Sequence, residues 1–203
     1  SFESNTPIGG IIMHRAILSI SAVCLLAGTS SADILDEARF GVMQHNICVQ
    51  DCNNANKEDG PNINGEIVFK SPDFLSIIWS PRPYIMGSGN TAGNTSFGAV
   101  GLVWNWDFAE SWSLEAGEGY AVHDGTLESP FPQGDPLGDA FTEENVLLGS
   151  RDLFRTSFAL NYSFNESWGG QVLYEHLSHG QILGSGRNQG MDNLGVRVIY
   201  AFG

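Results

Sequence analysis

The chain has 203 residues, of which 42% are hydrophobic, 11% aromatic and only 16% charged, with 25 glycines against 8 prolines. Nine basic and 23 acidic residues give a formal net charge of -14, which excludes a nucleic-acid binder, because phosphates need a basic face. The length suits one domain or two very small ones, and few charges with many aromatics suit a β protein whose outer surface does not meet water.

The N-terminus sets the compartment. Residues 1–12 are polar sequence upstream of Met13 and are set aside as a tag or a mis-set start. His14 and Arg15, the apolar run Ala16–Gly28 and the small residues Ser30-Ser31-Ala32 then read as a secretory signal peptide. The domain expected to remain is 33–203. Removing Arg15 and Glu3 with the leader leaves eight basic and 22 acidic residues, so the charge stays at -14. Cys48 and Cys52 lie in an Asn/Asp-rich stretch, where export permits a local disulfide. With no second pair, a metal site there has little support.

In chain order, weak period-two patterns lie at 36–46, 62–70 and 74–87. Val100, Leu102, Trp104, Trp106 and Phe108 then alternate with Gly101, Val103, Asn105 and Asp107. Trp112, Leu114, Ala116, Tyr120 and Val122 share the next apolar face, on which Glu118 is the exception. From Phe154 to Phe164 every even position except Thr156 is large and apolar. Another weak pattern spans 167–178, and Leu194, Val196, Val198, Tyr200 and Phe202 close the series. Alternate side chains of a strand point to opposite faces, so each segment has one greasy and one polar side.

Short turns at 71–73, 109–110 and 165–166 alternate with longer polar connections at about 47–61, 88–94, 124–146 and 179–190. This pattern predicts an all-β fold, an eight-stranded antiparallel transmembrane β-barrel of the outer membrane. An even strand number lets the sheet close without an exposed edge. A soluble up-and-down barrel fits less well, because the aromatic bands lie on one face. Trp104, Trp106, Trp112 and Trp168 read as an interfacial girdle. Glu175, Arg155, Arg197, Arg151 and Glu115 read as an interior charge network, His123 and His45 as interior polar filling, and the acidic stretch 124–144 as solvated loop.

With both termini in the periplasm, the strand at 167–178 runs outward and the last strand returns. His176 and Ser178 share parity with Trp168, Val172 and Tyr174, and Asp192 shares parity with Leu194, Val196 and Val198. All three polar residues therefore project toward lipid at the outer rim. Neighbours on one strand face are roughly 6.6 Å apart at Cα, close enough for side chains to lean together. Serine is a weak nucleophile until a base takes its proton, and histidine serves best when a carboxylate fixes its tautomer. Polar groups facing lipid cost stability unless they work. An aqueous rim cluster without chemistry is the bland alternative.

At these residues the sequence resembles a known family. His176-Leu177-Ser178, then Asn188-Gln189-Gly190-Met191-Asp192-Asn193-Leu194-Gly195 and a closing aromatic strand, look like the PagL-like outer-membrane lipid A 3-O-deacylases, often labelled acyloxyacyl hydrolases. The likeness extends through Lys57-Glu58-Asp59-Gly60-Pro61, Ile63-Asn64-Gly65-Glu66, Ser80-Pro81-Arg82-Pro83 and Leu148-Gly149-Ser150-Arg151. It implies an eight-stranded barrel that removes the ester-linked acyl chain from position 3 of lipid A, a substrate held in the membrane itself. By the same match Ser178 is the nucleophile, His176 the general base and Asp192 the orienting acid. No cofactor or metal is implied, and the chain could act as a monomer or a homodimer. Two positions depart from the family pattern: Asp192 replaces a Glu, and His179 replaces the Asn assigned to the oxyanion hole. His179, the backbone N–H of Gly180, Asn188 and Gly190 are the candidates for oxyanion binding or site shape. The alternative reading is a non-catalytic small barrel with a structural or partner-binding role.

Overall fold

The computed structural model describes residues 34–49 and 57–203. The upstream residues, the signal-peptide segment 13–32 and Asp33 lie outside the described residues. Cys48 is disulfide-bonded, and Cys52, its expected partner, also lies outside them.

Eight strands run β1 Leu35–Gln44, β2 Asn62–Phe69, β3 Arg82–Asn90, β4 Phe97–Ala109, β5 Trp112–His123, β6 Asp152–Ser163, β7 Trp168–Ser178 and β8 Met191–Ala201. Each pairs antiparallel with its sequence neighbours, and β1 pairs with β8, so the sheet closes into a barrel. The register fixes its geometry. Following hydrogen-bonded partners from Trp112 through Tyr162, Gly170, Val198, Phe40, Gly65, Gly87 and Gly98 returns to β5 at Val122. That is a stagger of ten residues over eight strands, which tilts the strands by about 40° to the barrel axis. Any row perpendicular to the strands therefore climbs outward on passing from β5 through β6 and β7 to β8.

The exterior is the apolar side. Phe40, Val42, Ile85, Leu114, Phe158, Val172, Val196 and Val198 are all exposed. Such a continuous greasy belt on a closed barrel is stable in hydrocarbon and unstable in water. At the end bearing the termini, Trp112 packs on Tyr162 at 4.7 Å and Trp168 on Tyr200 at 4.9 Å. Tyr162 and Tyr200 extend these stacks to Phe164 and Phe202, completing an aromatic girdle over β5–β8.

The interior is polar at mid-height and apolar toward the outer mouth. Arg39 makes a two-pronged contact with Glu115 at 2.7 Å and also bonds Glu37 and Glu66. Arg155 bonds Glu175 at 2.7 Å, and Arg197 reaches Glu66 at 3.1 Å. Tyr84 lies beneath the Arg155 guanidinium, in space left by Gly119, where any side chain would collide with the phenol. Above this layer Val146, Leu147 and Leu148 turn inward from the loop after β5 and are fully buried. Val146 and Leu148 pack with Leu153, Leu177 and Met191 and plug the mouth.

Several expectations need correction. The segment expected to begin a strand at 74 instead forms a 3₁₀ turn over Asp73–Ile78, and β3 starts only at Arg82. The turn exposes Phe74, Ile77 and Trp79, an apolar tip suited to the membrane interface. The connection expected at 88–94 is 91–96, and the acidic loop extends to 151 and contains a short helix, α1 Pro136–Glu144. Arg151 is not part of the interior network. It is exposed and donates to the carbonyls of His123 and Gly125. The missing members are Arg39, Glu37, Glu66 and Arg82, on the strands whose alternation is weakest.

The outer loops are pinned by one carboxylate. Glu58 accepts from His45 at 2.9 Å and from the amides of Thr95 and Val146. Burial would raise the Glu58 carboxyl, but the His45 and Thr95 hydrogen bonds outweigh it and hold the group below its usual range. A depressed folded value means that the stabilisation is complete above the unfolded value and fades as pH falls through the folded one. Hydrogen exchange at the Thr95 and Val146 amides is expected to lose protection over that acidic window. Glu58→Gln should flatten the pH dependence, and equal protection at all pH values in the wild type would refute the assignment.

Candidate active site

β7 and β8 bring His176 and Asp192 directly opposite each other on the outer wall. Their neighbours on the inner face, Glu175 and Asn193, bond each other at 3.1 Å inside the barrel. The two faces of one register thus carry two polar pairs, one inside and one outside. His176 Nδ1 lies 2.7 Å from Asp192 Oδ1. A carboxylate there accepts the Nδ1 proton and leaves Nε2 as the lone-pair nitrogen. The side chains are 20% and 6% exposed, so the carboxylate is dry while the imidazole keeps an open edge.

The register places Asp192 straight across from the histidine, so a short carboxylate reaches the ring. The Asp192 backbone carbonyl accepts from Ile47 N–H at 2.7 Å. Tyr174 Oη donates to the same Oδ1 at 2.7 Å. The sequence reading missed this tyrosine as a site residue because its parity made it one more lipid-facing aromatic. Parity two residues below His176 was the available signal.

Ser178 lies at the last position of β7, on the same face as His176 and opposite Phe154. Among the described residues its hydroxyl enters no hydrogen bond, so the structure joins His176 to Asp192 but does not join Ser178 to His176.

The loop from 179 to 190 arranges the remaining candidates differently from expectation. His179 is fully buried, with Nδ1 accepting from Gln181 N–H at 3.1 Å and Nε2 3.0 Å from the Arg187 carbonyl. That pattern fixes the proton on Nε2 and leaves the ring no donor for an oxyanion. Its backbone N–H is also engaged, by Asn188 Oδ1 at 3.3 Å. His179 and Asn188 therefore fasten the loop. Gly180, in the left-handed region at φ 59°, retains an N–H that enters no hydrogen bond among the described residues. Gly190, at φ 49°, lies against His176: a Cβ there would sit 2.9 Å from His176 Cε1. Gly190 shapes the site by letting the backbone touch the imidazole. Gln189 ties this loop to the plug, accepting from Leu147 N–H at 2.7 Å.

On the midplane side of His176 the outer wall opens into a groove of about 540 Å³. Trp106, Leu114, Phe158, Leu160, Val172 and Tyr174 line it, and the small side chain of Ala116 leaves its floor open. His123, the other histidine near the outer end of β5, points inward against the Ser150 carbonyl and takes no part.

No protein-family model and no curated protein matches this sequence. Among solved structures, the outer membrane enzyme PagL is similar in fold, with a TM-score of 0.55 at 14% identity, covering 80% of this chain and 97% of that one. Neisserial surface protein A matches at a TM-score of 0.48, 8% identity, 83% of this chain and 96% of that one. The Yersinia pestis outer membrane protein Ail matches at 0.40, 11% identity, 81% and 99%. At such identities the likeness concerns fold alone. With the closed sheet and the apolar belt it leads to one conclusion: the chain is an eight-stranded β-barrel of the outer membrane.

Proposed function

We propose that this barrel is a serine esterase that removes the ester-linked 3-O-acyl chain from lipid A at the outer leaflet. The observation that carries the reading is the His176–Asp192 pair on the lipid-facing wall, with Nδ1 engaged by the carboxylate and Ser178 two residues along on the same strand face. A buried carboxylate aimed outward at an imidazole serves no packing purpose in hydrocarbon. The sequence likeness at 176–195 and the fold shared with the enzyme PagL support the same reading.

In this reading the lipid arrives laterally, with its ester at the rim and its chain in the apolar groove below. Ser178 Oγ attacks the ester carbonyl as His176 Nε2 takes its proton, and Asp192 steadies the imidazolium. Gly180 N–H is the candidate donor to the oxyanion, since His179 has none to spare. Collapse of the tetrahedral intermediate breaks the bond to the sugar oxygen, which leaves with the proton from His176. Water, deprotonated by the same nitrogen, then releases the fatty acid from acyl-Ser178.

The test is mass spectrometry of lipid A from cells expressing the wild type or Ser178→Ala. The wild type is expected to yield lipid A lighter by one acyl chain, and the variant to leave it intact. Identical acylation in both would leave a non-catalytic barrel.

A further inference from the structure

Two residues break the apolar pattern of the outer wall, and the register aligns them with the catalytic pair. Glu118 on β5 lies opposite Thr156 on β6, Thr156 lies opposite His176 on β7, and His176 lies opposite Asp192 on β8. The four form one polar row across four strands. The row beneath it reads Ala116, Phe158, Tyr174 and Leu194. Glu118 is exposed on this wall, and its one hydrogen bond among the described residues comes from Thr156 Oγ1 at 2.8 Å.

The tilt of the strands gives the row a depth. Strands about 4.8 Å apart and inclined by about 40° make the row climb roughly 3 Å per strand. Glu118 therefore lies about 10 Å from His176 along the row, which is about 6 Å nearer the bilayer midplane and about 7 Å around the wall. A carboxylate at that depth disfavours insertion unless it has something to bind. Thr156 occupies one of its acceptor sites, and both groups have lone pairs left. The pair can thus accept from a donor, and its negative charge repels phosphate. Among the described residues no group of three His, Cys, Asp or Glu side chains can hold a metal ion. An ammonium headgroup stays higher, in the aqueous interface. A neutral hydroxyl carried down by an acyl chain meets the depth, the charge and the hydrogen-bonding demand together.

We propose that Glu118 and Thr156 form a hydrogen-bonding subsite that reads a hydroxyl on the acyl part of the lipid substrate, several carbons below the scissile ester. The subsite rests on the esterase reading, because it takes the wall around His176 as the substrate surface. It selects hydroxylated chains over plain ones at the binding step, and it aligns the chain in the groove.

The experiment uses full-length protein in detergent micelles, carrying Ser178→Ala, with ether-linked glycolipid analogues that cannot be hydrolysed. The analogues share one chain length and bear a hydroxyl at successive carbons, no hydroxyl, or an amide instead. One hydroxylated analogue is expected to bind roughly tenfold more tightly than the plain one, as a charge-assisted hydrogen bond allows. Adding Glu118→Leu should bring that ratio to about 1. Leucine restores the apolar wall, so this variant should resist urea at least as well as its parent. No preference for any hydroxyl, a preference surviving Glu118→Leu, a preference carried by the amide alone, or loss of urea resistance each overturns the subsite. If the preference stands but the wild type hydrolyses no corresponding ester, the esterase reading fails and the subsite remains.

Discussion

Asp192→Asn is expected to lower ester hydrolysis by about 10³–10⁴-fold with the barrel still folded. The effect follows from the tautomer. Asp192 accepts the Nδ1 proton at 2.7 Å, which leaves Nε2 basic. An asparagine amide can present N–H to Nδ1, so the imidazole can carry its proton on Nε2 instead and lose its basic edge. Asp192→Glu should recover part of the rate, because it keeps the carboxylate but must fold a longer side chain into a position set by direct cross-strand register. Tyr174→Phe removes one hydrogen bond from the same oxygen and should cost about tenfold or less. Rates measured on micellar ester against pH separate the cases: Asp192→Asn should lower the plateau, and Tyr174→Phe should mainly move the midpoint. An Asp192→Asn protein within a factor of a few of wild type would remove Asp192 from the mechanism.

Arg39→Leu is expected to be the most destabilising single change in the barrel, by about 3–5 kcal/mol in urea unfolding from detergent or vesicles. Arg39 is buried and bonds Glu37, Glu66 and Glu115. Its removal takes one cation from a cluster of three carboxylates in a lumen already plugged at its outer mouth. Arg82 and Arg197 reach all three of these acids, which limits the loss without cancelling it. Adding Glu115→Leu to Arg39→Leu should recover stability, since it removes one buried acid along with the cation that had balanced it. A loss below about 1 kcal/mol in the single variant would show that the remaining arginines suffice.

The strands bearing the site were legible because lipid demands a strict period of two. Trp112–Val122, Phe154–Phe164 and Leu194–Phe202 each put a large apolar residue at nearly every outward position, and their polar exceptions could be read as exceptions. Where apolar residues cluster without a strand, the same reading fails. Phe74, Leu75, Ile77, Ile78 and Trp79 form an interfacial 3₁₀ turn, and alternation cannot separate such a tip from a strand. Register was the other gap. That Asp192 faces His176, that Tyr174 reaches Asp192 and that Glu118, Thr156 and His176 form one row all depend on which residues pair across strands. Hydropathy states the face of a residue and not its partner. His179 shows a third limit, since a histidine beside a serine suggests chemistry until both ring nitrogens are found holding a loop.

In the proposed esterase, release of the acyl-enzyme would consume a second substrate, water, and the plug bears on where that water comes from. Val146, Leu147 and Leu148 close the outer mouth, and the arginine–glutamate layer occupies the lumen below. The barrel therefore offers no aqueous supply line from its interior to its outer wall. Water must reach Ser178 along the rim, over the loop that begins at His179 and Gly180. On that proposal the half-life of the acyl-enzyme, and with it the turnover of an esterase whose first substrate comes out of oil, would be set by how wet that narrow shoreline stays.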